Sequence, residues 1–115
     1  SPRNAFLIVD GGRHFALDRP VVSIGRRLDN QIILDHPRIS RTHAQLRLRH
    51  GRYVLYDLGS SGGTKVNGEP VKERVLEAGD VISMPGVSLI YGEEERVAVE
   101  LEEPTTPLAA TGRAG

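Results

Sequence analysis

The chain has 115 residues, no cysteine, and fifteen Lys plus Arg against fifteen Asp plus Glu. This length fits one domain with a single core, and the lack of cysteine excludes disulfides and thiolate metal sites and favours a reducing, cytoplasmic compartment. The balanced charge gives no general attraction to nucleic acid or to an acidic membrane surface. No apolar run approaches the ~20 residues that span a bilayer. We therefore expect an intracellular domain without nucleic-acid or membrane partners.

Short runs rich in β-branched and aromatic residues alternate with Gly, Pro or Asn-Gly turns along most of the chain. The strand candidates are residues 5–9, 13–17, 21–24, 31–34, 44–49, 53–58, 64–66, a return that begins at Val71, 75–76, 81–84, 87–91 and 97–101. The alternation in residues 44–49 predicts a strand that turns Leu46 and Leu48 to the core. No helical period lasts three turns. We predict an all-β fold, an antiparallel β-sandwich of about ten or eleven strands with its binding loops at one end.

The composition changes after Leu101, where acidic residues, prolines and threonines give way to an Ala/Gly-rich end. Such a segment can bury little apolar surface. We expect the folded domain to span residues 1–101, with its core at about 5–92, and residues 102–115 to form a disordered tail or linker. The chain begins with Ser-Pro instead of Met, which is typical of a fragment excised from a longer protein.

Three loops of small and polar residues stand out, at residues 25–30, 37–43 and 59–68. The middle loop gathers two guanidiniums, two hydroxyls and an imidazole just before a predicted strand. The guanidinium geometry of Arg suits phosphate, the hydroxyl and N–H of Ser40 can donate hydrogen bonds, and a glycine-rich loop presents backbone N–H groups. This combination predicts an anion site.

An enzyme is the first alternative, because Ser40, His43 and Asp57 supply the side chains of a nucleophilic triad. No Gly-x-Ser-x-Gly elbow accompanies them. The loop at residues 59–65 resembles a nucleotide-binding P-loop but lacks Gly-Lys-Ser/Thr and a following helix. The four histidines show no metal-ligand spacing. We predict a protein that is not an enzyme and holds no cofactor and no metal.

The polar residues of the three loops form an ordered pattern: Gly25-Arg26, Asn30, Ser40-Arg41-Thr42-His43, Asp57, Ser61-Gly62-Gly63-Thr64 and Asn67-Gly68. This pattern resembles the forkhead-associated (FHA) domain over residues 6–91. The resemblance implies an FHA/SMAD-like sandwich that binds phosphothreonine peptides. It assigns phosphopeptide binding to Arg26, Ser40, Arg41, Ser61, Gly62 and Asn67. It assigns structural support of the site to Gly25, His43, Gly63 and Thr64.

Two positions refine this expectation. Gly62 stands where the family commonly has Asn, whose side chain often holds the backbone of the bound peptide. Arg38 lies where the family contacts the third residue after the phosphothreonine, which implies an acidic preference there. Asn67 either braces its own loop or contacts the peptide.

The expected function is phosphothreonine-dependent, non-catalytic protein–protein interaction downstream of a Ser/Thr kinase. We expect a monomer unless Thr105 or Thr106 is phosphorylated and engages the pocket of the same or a second copy. The alternative is a scaffold or self-associating domain that uses the same sandwich without phosphate.

Overall fold

The computed structural model describes residues 4–94, which form eleven strands and no helix. The strands are β1 (Ala5–Val9), β2 (Arg13–Ala16), β3 (Val21–Gly25), β4 (Ile32–Ile33), β5 (Ala44–Arg49), β6 (Arg52–Asp57), β7 (Lys65–Val66), β8 (Glu69–Pro70), β9 (Glu73–Val75), β10 (Val81–Met84) and β11 (Val87–Glu93). Within the described range, no helix is therefore long and apolar enough to cross a membrane. The all-β prediction is confirmed.

The strands form two sheets that pack as a sandwich. One sheet has the order β2-β1-β11-β10-β7-β8, and the other has the order β4-β3-β5-β6-β9. The pairing of β3 with β4 is parallel, with Ile24 opposite Ile32, whereas β3–β5 and β5–β6 are antiparallel. The second sheet is thus mixed and not purely antiparallel as predicted. The six residues between β3 and β4 turn the chain back over the end of β3, where Leu34 N–H donates to the Gly25 carbonyl (2.9 Å).

The core lies between the sheets and follows the two-residue period of the strands. Leu46 on β5 sits opposite Val22 on β3 and Leu55 on β6, and both leucines are fully buried. Leu7 on β1 and Leu89 on β11 supply the matching apolar face of the other sheet. Alternation in the sequence therefore predicted correctly that Leu46 faces the core.

Strand limits differ from the predictions mainly after the Asn67-Gly68 turn. The return strand starts at Glu69 and ends at Pro70, one residue before the predicted Val71. Pro70 has no N–H to donate, and β8 lies at the edge of its sheet, where a missing donor is tolerated. The predicted strand at 97–101, the tail at 102–115 and Thr105 and Thr106 lie outside the described residues.

Replacing Leu46 by Ala should lower the free energy of unfolding by about 2–5 kcal/mol, because it leaves a cavity between the sheets. Urea denaturation followed by circular dichroism measures the change. Leu28→Ala is the control: Leu28 is 85% exposed, so its truncation should change stability by less than about 0.5 kcal/mol. Equal losses in both variants would contradict the placement of Leu46.

Candidate functional site

Backbone hydrogen bonds bring the first two polar loops together. Arg26 N–H donates to the Ser40 carbonyl (3.1 Å), and Arg27 N–H donates to the Arg41 carbonyl (3.2 Å). These bonds lie beyond Ile24, the last residue of β3 that pairs with β5, so the loop after β3 lies beside the loop before β5. Arg26 and Ser40 therefore become neighbours through the backbone, independently of their side chains.

Gly25 is required by this close approach. A Cβ at Gly25 would overlap the Arg41 carbonyl oxygen and lie 2.9 Å from Nδ2 of Asn30. The buried Asn30 side chain donates to the carbonyls of Arg27 (2.9 Å) and Arg41 (3.0 Å), which ties the same two loops a second time. Only a residue without a side chain fits between these two loops at position 25.

His43 links the middle loop to the glycine-rich loop. The ring is fully buried, Nδ1 accepts a hydrogen bond from Ser40 N–H (3.1 Å), and Nε2 lies 2.9 Å from the Gly63 carbonyl. Because Nδ1 accepts, the hydrogen resides on Nε2 and is donated to Gly63. Both ring nitrogens are engaged by backbone groups, so neither is paired with Ser40 Oγ or Asp57 as a triad requires.

The Ser40 hydroxyl faces the glycine-rich loop. Its Oγ accepts a hydrogen bond from Ser61 N–H (3.2 Å), which leaves the O–H hydrogen free to be donated to a ligand. The Ser40 N–H, in contrast, is already bound to His43. Of the two donors expected at Ser40, only the hydroxyl is therefore available to donate a hydrogen bond to an anion.

These contacts surround an open pocket of about 620 Å³. Its lining residues are Arg26, Pro37, Arg38, Ile39, Ser40, Arg41, Thr42, Ser61, Gly62 and Pro85. Three of them are arginines and none is acidic, so the pocket is positive although the whole chain carries no net charge. The Nε of Arg26 donates to the Ile39 carbonyl (3.0 Å), which fixes the guanidinium and leaves its terminal nitrogens available. We call this concavity the first pocket.

Asp57 holds the glycine-rich loop in shape. Its carboxylate accepts hydrogen bonds from Ser60 Oγ (2.5 Å), Thr64 Oγ1 (2.7 Å) and the N–H groups of Gly59 (3.1 Å) and Ser60 (3.2 Å). Burial acts to raise the pKa of Asp57, but these hydrogen bonds outweigh it, and the pKa is lowered. The buried Thr64 is thereby tied to Asp57.

Asn67 is not brought to the first pocket. Its Nδ2 donates to Asp80 Oδ1 (3.0 Å), and its Oδ1 accepts from Val81 N–H (2.9 Å). Its backbone has φ of 52°, a left-handed conformation that Asn tolerates in a tight turn. Of the two roles expected for Asn67, the geometry matches the bracing of its own loop.

Pro85 is the lining residue that sequence reasoning missed. It lies in the turn between β10 and β11, and a Cβ built at Gly62 would overlap the Pro85 ring. The Pro85-Gly86 pair signals a turn, but nothing local in the sequence places that turn beside Gly62. Among residues 4–94, no group of three His, Asp or Glu side chains is arranged to hold a metal ion.

Replacing Asp57 by Asn should lower the free energy of unfolding at pH 7 by about 1–3 kcal/mol, since the amide presents N–H to groups that are themselves donors. The contribution of the carboxylate is complete above its ordinary pKa of 3.8 and is lost as the pH falls through the lower folded value. Urea denaturation at pH 7 and at steps below 3.8 should show the gap between wild type and variant narrowing. A gap that does not change with pH would contradict this account, and the exposed Asp35→Asn serves as control.

Comparison with known proteins agrees with this geometry. Residues 22–85 match the FHA domain family. The glycogen accumulation regulator GarA of Mycolicibacterium smegmatis is 40% identical over 92 residues, which cover 76% of this chain and 58% of GarA, so the chain spans little more than half of that relative. A domain solved in a study of phosphothreonine-dependent FHA domain interactions is 34% identical, with a TM-score of 0.75 and coverage of 79% of this chain and 97% of that one. The FhaA FHA domain, solved in complex with the intracellular domain of Rv3910, is 36% identical, with a TM-score of 0.72 and coverage of 76% and 98%. The chain belongs to the FHA domain family.

Proposed function

We propose that this domain binds phosphothreonine segments of partner proteins in the first pocket. The observation that carries the proposal is the convergence of Arg26, Ser40, Arg41 and Ser61 on one concavity that no carboxylate lines. A domain 34% identical to this chain comes from a study of phosphothreonine-dependent interactions, which supports the same ligand.

The donors match the chemistry of a phosphate monoester. Phosphothreonine carries nearly two negative charges and three acceptor oxygens. Arg26 and Arg41 supply guanidinium N–H groups, and Ser40 and Ser61 supply hydroxyls. A charge-assisted hydrogen bond contributes about 1.5–3 kcal/mol, so three or four of them outweigh the cost of ordering a short peptide. The bond of His43 to the Ser40 backbone and the Arg26 Nε–Ile39 bond hold Ser40 and Arg26 in place in advance, which reduces the entropy lost on binding.

The preference for threonine over serine requires apolar surface for one extra methyl group. The apolar side chains of Ile39 and Pro85 line the first pocket and supply such surface. Burying one methyl stabilises the complex by about 0.8 kcal/mol, which is a several-fold preference. A stronger preference for threonine over serine has to come from the shape of the pocket around the methyl group.

The role we propose is non-catalytic, because both nitrogens of His43 are held by backbone groups. The partner is a protein phosphorylated by a Ser/Thr kinase, and the domain acts as a monomer in the cytoplasm, where such kinases and a reducing environment coexist.

Arg38 is exposed on the rim of the first pocket, and its N–H donates to His36 Nδ1 (3.1 Å). We propose that the Arg38 side chain contacts an acidic residue at the third position after the phosphothreonine.

Ser40→Ala and Arg26→Ala should each weaken binding of a phosphothreonine peptide at least about tenfold, because each removes one charge-assisted bond. A phosphothreonine peptide library identifies the peptide, and isothermal titration measures its affinity beside phosphoserine and unphosphorylated versions. Ser88→Ala and Arg47→Ala are matched controls on exposed strand positions and should bind as the wild type does. Equal binding of phosphorylated and bare peptides, unaffected by Ser40→Ala, would instead establish the phosphate-independent scaffold.

Gly62→Asn should lower the free energy of unfolding by about 1–3 kcal/mol, since its Cβ overlaps the Pro85 ring. Gly62 is not among the positive-φ glycines, so the obstruction is the ring and not the backbone. Pro85→Ala removes the Cγ and Cδ atoms of the ring and keeps Cβ, which would lie 3.5 Å from the new Cβ at position 62. The double variant should therefore recover most of the lost stability. Denaturation of the two singles and the double measures this coupling. Gly12→Asn, with nothing within 4 Å, is the control, and strictly additive effects would refute the contact.

A further inference from the structure

A second pocket of about 400 Å³ lies on the other side of the glycine-rich loop. Its lining residues are Asp57, Ser60, Gly62, Gly63, Thr64, Lys65, Pro70, Val71 and Lys72. Gly62 also lines the first pocket, so the two concavities share one edge. No residue that we assign to phosphate contact lies in the second pocket.

Gly62, the residue that the two pockets share, forms an edge of bare backbone between them. Gly62 carries no side chain, and the Pro85 ring on the first-pocket side occupies the space that a Cβ would need. Here an extended segment seated in the first pocket can therefore pass over Gly62 and continue into the second pocket.

The second pocket carries excess positive charge. The chain contains only two lysines, Lys65 and Lys72, and both line this pocket. Neither forms an ion pair with a carboxylate of residues 4–94. The carboxylate in the pocket, Asp57, already accepts four hydrogen bonds from its own loop.

The acidic residues nearest in the sequence, Glu69 and Glu73, do not line the second pocket. Glu69 is bound to Arg74 (2.9 Å), and Glu73 lies opposite Tyr56 in the β6–β9 pairing. Pro70 and the half-buried Val71 add apolar surface beside the lysines. An apolar base with two ammonium groups at its rim suits a side chain that has a short aliphatic stem and a carboxylate end.

We propose that the second pocket binds an acidic side chain of the partner segment on the N-terminal side of the phosphothreonine. The inference rests on the proposed function, because the phosphate positions the segment. Arg38 lines only the first pocket and is assigned to the third residue after the phosphothreonine. The opposite end of an extended segment then runs over Gly62. At about 3.3 Å per residue, the four residues before the phosphothreonine span about 13 Å when extended. These four positions are the ones to test.

The experiment uses phosphothreonine peptides that carry Glu, Ala or Lys singly at each of these four positions. Isothermal titration at low salt should show that Glu binds about two- to fivefold more tightly than Ala at one or two positions, the range for exposed ion pairs. In the double variant Lys65→Glu, Lys72→Glu the preference should reverse in favour of Lys. Arg47→Glu reverses one charge, half the change made in the double variant, on the exposed face of β5 and should leave the preference intact.

The outcomes separate the two proposals. Phosphate-dependent binding with no Glu preference, or with a preference that the lysine variants leave unchanged, overturns the second-pocket assignment while phosphothreonine binding stands. Binding that ignores the phosphate overturns both. Amide resonances of residues 65 and 72, measured on addition of the Glu and Ala peptides, give an independent test. Equal shifts with both peptides also overturn the assignment.

Discussion

The buried imidazole of His43 is the interaction on which the site depends. It joins the backbone of Ser40 to that of Gly63 and so fixes two loops that are twenty residues apart in the sequence. The orientation of the Ser40 hydroxyl and the position of Ser61 follow from this link. Since a buried polar group is costly unless its hydrogen bonds are made, a side chain that cannot bond both loops would destabilise them together.

The electrostatics of the domain are local. The chain is neutral overall, yet its arginines at residues 26, 38 and 41 and both of its lysines border two adjoining pockets. The nearby carboxylate of Asp57 points into its own loop, where hydrogen bonds lower its pKa. A negative group therefore shapes the loop without neutralising the surface that we propose for the phosphopeptide.

Much of the fold followed from local patterns, because burial in a sandwich imposes a two-residue alternation that Leu46 and its neighbours show clearly. The family pattern led to Arg26, Ser40 and Arg41, which the structure gathers in one pocket. Pro85 and the parallel β3–β4 pair were not predictable, since they depend on sheet order and loop path and not on local composition. The part played by Asn67 needed the structure, because an amide can brace a loop or contact a ligand with the same atoms.

The backbone bonds from Arg26 to Ser40 and from Arg27 to Arg41 have an evolutionary consequence. They set the position of the first pocket without using the side chain of Arg38, which is exposed. Substitutions at such positions usually change stability by less than about 0.5 kcal/mol. Duplicated copies of this domain can therefore diverge in the sequences they bind while keeping the same scaffold. The same property makes the position of Arg38 suitable for libraries that redirect the domain to new phosphorylated targets.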